Sequence, residues 1–131
     1  MRKSVIFSVL FFCSIIVLAQ SFWGGDTLSP KEVKVRWGQK ELNFKKFKEG
    51  STSEKASMAY SIIKDSKLLG KSVKFIRENL GDPDGFYFID SYPAYIIQQG
   101  KNHEEETWQI VFKLNEKYNV REIIVHKNCC D

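Results

Sequence analysis

The sequence predicts an α+β domain in which a hairpin of two helices packs on one face of an antiparallel sheet of three or four strands. Two observations lead to this fold class. Apolar residues recur at helical spacing between residues 51 and 81. Short runs rich in β-favouring residues, separated by turn residues, then fill residues 85–127. Helices followed by closely connected strands form two layers, with neighbouring strands antiparallel.

The two predicted helices have recognisable ends. Ser51 and Glu54 form a capping box at the start of the first helix, and Gly70 is expected to end it. Ser72 is expected to cap the second helix, which Gly81 terminates. The apolar stripes of both helices should face the sheet. They comprise Met58, Ala59, Ile62, Ile63 and Leu69 in the first helix, and Val73, Ile76 and Leu80 in the second.

Four strands are predicted after the helices. They span residues 86–90, 94–99, 107–114 and 120–127. The third is the clearest, because large apolar residues alternate with other residues from Trp108 to Leu114. The polar residues between the second and third strands are expected to form a loop.

The first nineteen residues predict export. Two basic residues precede an uncharged apolar run from Val5 to Ala19, which is the pattern of a secretory signal peptide. Cleavage is expected between Ala19 and Gln20. The alternative is an uncleaved membrane anchor over residues 5–23, a length close to that which spans a bilayer. Either way the predicted location is the periplasm or the cell envelope.

Residues 20–50 are predicted to be a basic, aromatic arm outside the α+β domain of residues 51–128. Lysines and arginines outnumber acidic residues in the arm, and Trp37, Phe44 and Phe47 lie among them. Two arrangements are open. The arm contacts a membrane surface or a partner, or its aromatic rings pack on the domain while the lysines stay in water.

Composition excludes several classes of protein. A chain of 131 residues is too short for a multidomain enzyme, and 43% hydrophobic residues rule out disorder along the full length. The net charge of +4 is too small to indicate nucleic acid as a partner. No motif combines a nucleophile, a base and an orienting group, so neither catalysis nor a cofactor is expected. Asp82, Asp84 and Asp90 are expected to stabilise turns.

The junction between helix and sheet is the most distinctive stretch. It reads Leu69-Gly70-Lys71-Ser72 and, after three residues, Ile76-Arg77-Glu78-Asn79-Leu80-Gly81-Asp82-Pro83-Asp84. It resembles a motif of small envelope proteins related to SmpA/OmlA (BamE), which are accessory subunits of the outer-membrane β-barrel assembly machinery. It is also similar to the repeat unit of secreted β-lactamase inhibitor proteins. The resemblance implies two helices on a small antiparallel sheet. Lipoprotein members carry a lipidated cysteine, whereas Cys13 here follows the bulky Phe12.

Aromatic residues of the predicted sheet form the candidate partner-binding site. They are Phe86, Tyr87, Phe88, Tyr95 and Trp108. Because successive strand side chains point to opposite faces, these rings cannot all contact the helices. The second sheet face should therefore hold apolar surface, which either binds a partner or is covered by residues 20–50. The leading prediction is that this chain is a non-catalytic, exported envelope protein, such as an outer-membrane assembly accessory, and that it binds another envelope protein.

Two alternative functions remain open. One is an inhibitor-like or small-ligand-binding domain that uses the same sheet face. The other depends on the C-terminal tail of residues 129–131, Cys-Cys-Asp. Cys129 and Cys130, with His126, are candidate ligands for a soft metal ion, and the two cysteines can form a disulfide in an oxidising envelope. The tail would then make this a small metal- or redox-active protein.

Overall fold

A computed structural model describes residues 26–64, 66–102 and 105–128. In these residues four helices pack on a four-stranded antiparallel sheet, which confirms the predicted α+β class. The predicted signal peptide, the alternative anchor and the Cys-Cys-Asp tail lie outside the described residues. Within them, no helix is long and apolar enough to cross a membrane.

The elements follow one another in a simple order. The helices are α1 Pro30–Trp37, α2 Phe44–Glu49, α3 Thr52–Lys64 and α4 Val73–Leu80, with a 3₁₀ turn at Ser66–Leu68. The strands are β1 Thr27–Leu28, β2 Ala94–Gln98, β3 Trp108–Leu114 and β4 Val120–Lys127. The spatial order in the sheet is β1-β4-β3-β2, and all neighbours are antiparallel.

Local hydrogen bonds fix the helix ends as predicted from the sequence. The Ser51 hydroxyl accepts from Glu54 N–H at 3.3 Å, and the Ser72 hydroxyl accepts from Phe75 N–H at 3.1 Å. Gly81 has a φ of 91° and donates its N–H to the Arg77 carbonyl, which ends α4. These short-range bonds explain why α3 and α4 begin close to the expected residues.

The end of the first predicted helix differs from the expectation. Helix α3 stops at Lys64, and the 3₁₀ turn rotates the chain so that Leu68 is buried and Leu69 is exposed. Gly70 has a φ of 83° and donates its N–H to the Val120 carbonyl at 2.7 Å. Gly70 therefore connects the hairpin to the start of β4 instead of capping α3.

The first predicted strand, residues 86–90, is not a strand. The fourth strand of the sheet is β1, which pairs Thr27 with His126 and Leu28 with Val125. Residues near the predicted strand close the outer edge of β2, since Gly85 N–H donates to the Ala94 carbonyl at 2.8 Å and the Asp84 carboxylate accepts from Ile96 N–H at 2.9 Å. The chain then crosses a face of the sheet and adds no strand to it.

The predicted arm is part of the same packed unit in the residues that the structure describes. Val33 and Phe47 are fully buried in the core, and the Phe47 ring lies 5.5 Å from the ring of Tyr95. The seven lysines and arginines between residues 26 and 50 are all exposed. The packing therefore matches the second arrangement expected for the arm, and it crosses the domain boundary predicted at residue 50.

The arm does not cover the sheet face on which it was expected. Trp37 contacts Trp108 with ring centroids 6.4 Å apart, and its indole N–H donates to Gln98 at 3.1 Å. Like Tyr95, Trp108 belongs to the core between the helices and the sheet. The aromatic residues of the arm thus pack on the helix side, because that is where α1 and α2 meet α3 and α4.

Candidate functional site

The sheet has a second face, turned away from the helices. Paired residues on neighbouring strands share a face, so Ile110 and Val125 face the core while Gln109 and His126 face the opposite way. Val111 lies on this second face and is fully buried. The segment of residues 85–92, here called the aromatic loop, folds back over the second face.

Gln109 holds the aromatic loop to the sheet. Its side chain is fully buried, and its carboxamide oxygen accepts from Phe86 N–H at 2.9 Å while its amide nitrogen donates to the Phe86 carbonyl. One side chain thus satisfies both main-chain polar groups of Phe86, as a neighbouring strand would. Gly85 permits this approach, because a Cβ there would collide with the Gln109 oxygen and lie 3.0 Å from the Ala94 Cβ.

Ring contacts shape the rest of the loop. Tyr87 stacks on Tyr92 with ring centroids 6.0 Å apart. The rings of Tyr87 and Phe88 meet the imidazole of His126 edge-on at 5.1 and 5.9 Å. The contacts of Tyr87 and Phe88 with His126 attach the loop to β4 near the end of that strand.

The loop nevertheless presents large apolar side chains to solvent. Phe86 is 58% exposed, Phe88 79% and Ile89 46%. Three of the seven exposed large hydrophobic side chains in the described chain therefore fall within four consecutive positions. We call these three residues the aromatic patch. Single exposed hydrophobic residues are ordinary, whereas a cluster held in one geometry is typical of an interaction surface.

His126 lies beneath the patch. It is buried, and its Nδ1 has no hydrogen-bond partner. Burial lowers the pKa of its imidazole, as do Lys113 and Lys127, while Asp26 acts in the opposite direction. The predicted metal or disulfide partners, Cys129 and Cys130, lie outside the described residues. Within the described residues, no group of three His, Cys, Asp or Glu side chains is placed to hold a metal ion.

The lowered pKa of His126 predicts a loss of stability in mild acid. As the pH falls below about 6.5, the unfolded chain takes up a proton before the folded chain does. The free energy of unfolding should then decrease by at most about 1.4 kcal/mol per pH unit until the folded-state pKa is passed. Urea titrations at pH 7 and pH 5 measure this change.

The chain's other histidine provides the control. His126→Gln should remove most of the pH-dependent difference, and His103→Gln should keep it. An equal pH dependence in wild type and His126→Gln would contradict the assignment of the effect to the buried imidazole.

The five residues predicted for the partner site do not share one surface. Phe86 and Phe88 belong to the aromatic patch, and Tyr87 is half-buried within the loop. Tyr95 and Trp108 are fully buried on the helix side. This corrects the predicted set, and the reason is strand alternation, which turns these two rings toward the core.

The two corrected residues have structural hydrogen bonds. The Tyr95 hydroxyl donates to the Gly81 carbonyl at 2.8 Å, and burial raises the pKa of this phenol well above its usual range. The Trp108 indole N–H donates to Glu106 at 2.9 Å. The Tyr95 hydroxyl thus binds the main chain where α4 ends, and the Trp108 indole binds the residues just before β3.

Sequence reasoning missed the contributions of Gln109 and Ile89. The alternation of β3 indicated that Gln109 lies on the face opposite Trp108 and Ile110. It gave no indication that the Gln109 side chain would bind the main chain of Phe86, because these two residues lie 23 positions apart in the sequence. Ile89 lies within the predicted strand of residues 86–90, which the structure does not form.

The edge of β2 is closed to an additional strand at the residues that Asp84 and Gly85 contact. Asp84 acts there as a main-chain acceptor, in line with the expected structural role of the turn aspartates. A cavity of about 190 Å³ lies between the loop and α4. Its lining includes Arg77, Pro83, Tyr87, Asp90 and Tyr92.

The described residues thus assemble an ordered apolar surface on the face of the sheet opposite the helices. The Gln109 side chain binds the main chain of Phe86, and Gly85 lets the loop pack closely against Gln109. The side chains of the aromatic patch are exposed on this loop. No protein-family model, curated protein or solved structure matches the chain.

Proposed function

We propose that this chain is a non-catalytic, exported protein of the cell envelope that binds another envelope protein through the aromatic patch. The observation that carries the proposal is the exposure of Phe86, Phe88 and Ile89 in a loop whose main chain is fixed to the sheet. The apolar N-terminal run supports export. The resemblance of residues 69–84 to the SmpA/OmlA (BamE) group supports an outer-membrane assembly subunit as the partner.

A loop that is already ordered favours binding, because less conformational entropy is lost when the partner binds. Immobilising a flexible side chain in an interface costs about 0.5–1.5 kcal/mol, so a preformed loop retains more of its contact energy. Buried aromatic side chains are also among the commonest dominant contacts of protein interfaces. Phe88, the most exposed residue of the patch, is the expected central contact.

Site-specific photo-crosslinking tests the proposal in the native envelope. A benzophenone amino acid placed at Phe88 should give one discrete adduct with another protein. The same amino acid at Val35, which is 80% exposed on α1, is the matched control and should give none. Equal adduct patterns at the two positions would contradict a partner site on the aromatic loop.

Substitution tests the same surface without a probe. The double variant Phe86→Ser/Phe88→Ser should weaken partner capture by at least about tenfold, since interface anchors commonly contribute 2 kcal/mol or more. The double variant Val35→Ser/Tyr118→Ser removes two similarly exposed hydrophobic residues elsewhere and should leave capture unchanged. Capture that survives in the first variant would refute the proposal. Identification of the adduct decides whether an assembly subunit is the partner.

A small-ligand-binding role is the second candidate, and the 190 Å³ cavity beside the loop favours it. Arg77 and Asp90 place opposite charges at its wall, which suits a small polar molecule. Native mass spectrometry of protein released from the envelope tests this role. A bound small molecule that is lost in Arg77→Ala supports this role, and a wild-type mass equal to that of the unliganded chain contradicts it.

A further inference from the structure

The N-terminal end of the residues that the structure describes, at Asp26, lies beside the aromatic patch. The Asp26 carbonyl accepts from Lys127 N–H at 2.8 Å, and Thr27 pairs with His126. The ring of Phe88 lies 5.9 Å from the ring of His126. Asp26, the first residue that the structure describes, therefore lies next to the patch, at the same end of the sheet.

These preceding residues include two large aromatic side chains. The segment reads Gln20-Ser21-Phe22-Trp23-Gly24-Gly25. Trp23 is three positions before Asp26, so their Cα atoms can be at most about 10 Å apart. The two glycines permit a reversal toward the patch.

We infer that Phe22 and Trp23 dock on the aromatic patch of their own chain and compete there with the partner. This inference rests on the proposed function, because it assigns a regulator to the same surface. It applies to the cleaved form, because cleavage after Ala19 retains both aromatic residues, whereas an anchor over residues 5–23 would hold them in the membrane. The occupant is short and apolar and is joined to Asp26 beside the patch, where three apolar side chains are exposed.

Tethering gives this contact an advantage over a free ligand of the same chemistry. A short flexible link holds its ligand at an effective concentration of the order of millimolar. A weak aromatic contact with a dissociation constant near 1 mM would then cover the patch about half of the time. Removing the segment should raise the apparent affinity of the partner about twofold or more.

Intramolecular crosslinking of the full chain, purified from its native envelope at high dilution, tests the inference. A benzophenone amino acid at Phe88 should join the tryptic peptide that contains it to the peptide ending at Lys31. The same probe at Tyr118, which is 58% exposed at the opposite end of the sheet, is the control and should not form this link.

The variant Phe22→Ser/Trp23→Ser gives the second readout. It should lose the intramolecular link at position 88, and the partner adduct in the envelope should increase about twofold or more. An unchanged link, or no link at all, would overturn the inference. A covalent dimer would instead identify a second copy as the occupant. Lipid adducts that appear only with phosphatidylethanolamine–phosphatidylglycerol vesicles and displace the link would identify a membrane surface, and both results overturn the inference.

The outcomes separate the inference from the proposed function. A partner adduct at position 88 without the internal link removes the inference and keeps the proposed function. The internal link without any partner adduct removes the proposed function and shows that the patch is covered by its own chain.

Discussion

Replacing Phe47 by alanine is expected to lower the free energy of unfolding by about 3–5 kcal/mol. The ring is fully buried, meets Tyr95 at 5.5 Å and lies beneath the ammonium group of Lys55 at 5.6 Å. Its loss would leave a cavity between α2 and the sheet that rigid neighbours fill only in part. Urea denaturation followed by circular dichroism measures the change.

Phe44→Ala is the matched control within the same short helix. Phe44 is exposed, and its main aromatic contact is an edge-on approach to Phe75 at 6.0 Å. Its removal should cost about 1 kcal/mol, in the range of single aromatic pairs. Equal, small losses in both variants would mean that residues 26–50 do not share the core. A large loss in Phe47→Ala alone would place α2 within the cooperative unit.

Gln109→Leu is expected to cost about 2–3 kcal/mol and to release the aromatic loop. The substitution leaves Phe86 N–H and its carbonyl without their partner, and unsatisfied buried polar groups cost about 1–3 kcal/mol each. Part of this cost is avoided when the loop moves into water. Chymotrypsin should therefore cut after Phe86, Tyr87 or Phe88 faster in the variant than in wild type, at a urea concentration where both are folded.

Gln98→Leu is the matched control for Gln109→Leu, because it makes the same change of side chain at another position of the sheet. Gln98 lies on an exposed position of β2 and accepts one bond, from the Trp37 indole at 3.1 Å. We expect a loss below about 1 kcal/mol and no change in cleavage of the loop. Unchanged cleavage in Gln109→Leu would show that the ring contacts of Tyr87 and Tyr92 suffice to hold the loop.

Stability and binding are linked through the same loop. Gln109 and His126 lie under the patch and touch no partner in the proposed complex, yet they set the conformation of Phe86 and Phe88. Gln109→Leu should therefore weaken partner capture without removing any exposed apolar side chain. This distinguishes a preformed surface from one that only needs hydrophobic residues in any arrangement.

The features that the sequence determined by itself are local ones. The capping bonds of Ser51 and Ser72 each join residues three apart, and the reversal at Gly81 needs only its own backbone freedom. The alternation of β3 likewise appears within seven residues. Such features can be predicted because the interacting groups are neighbours along the chain, so that residue type and spacing nearly define the geometry.

Tertiary structure decided the rest, because the deciding contacts join residues far apart in sequence. Residues 86–90 have strand-like composition, but Gly85 and Asp84 occupy the edge of β2 and Gln109 binds Phe86, so the segment becomes a loop. The edge position beside β4 goes to Thr27–Leu28, about a hundred residues away in the chain. Long-range pairing depends on which edges and faces remain open after the local elements have packed, and neither composition nor periodicity records that competition.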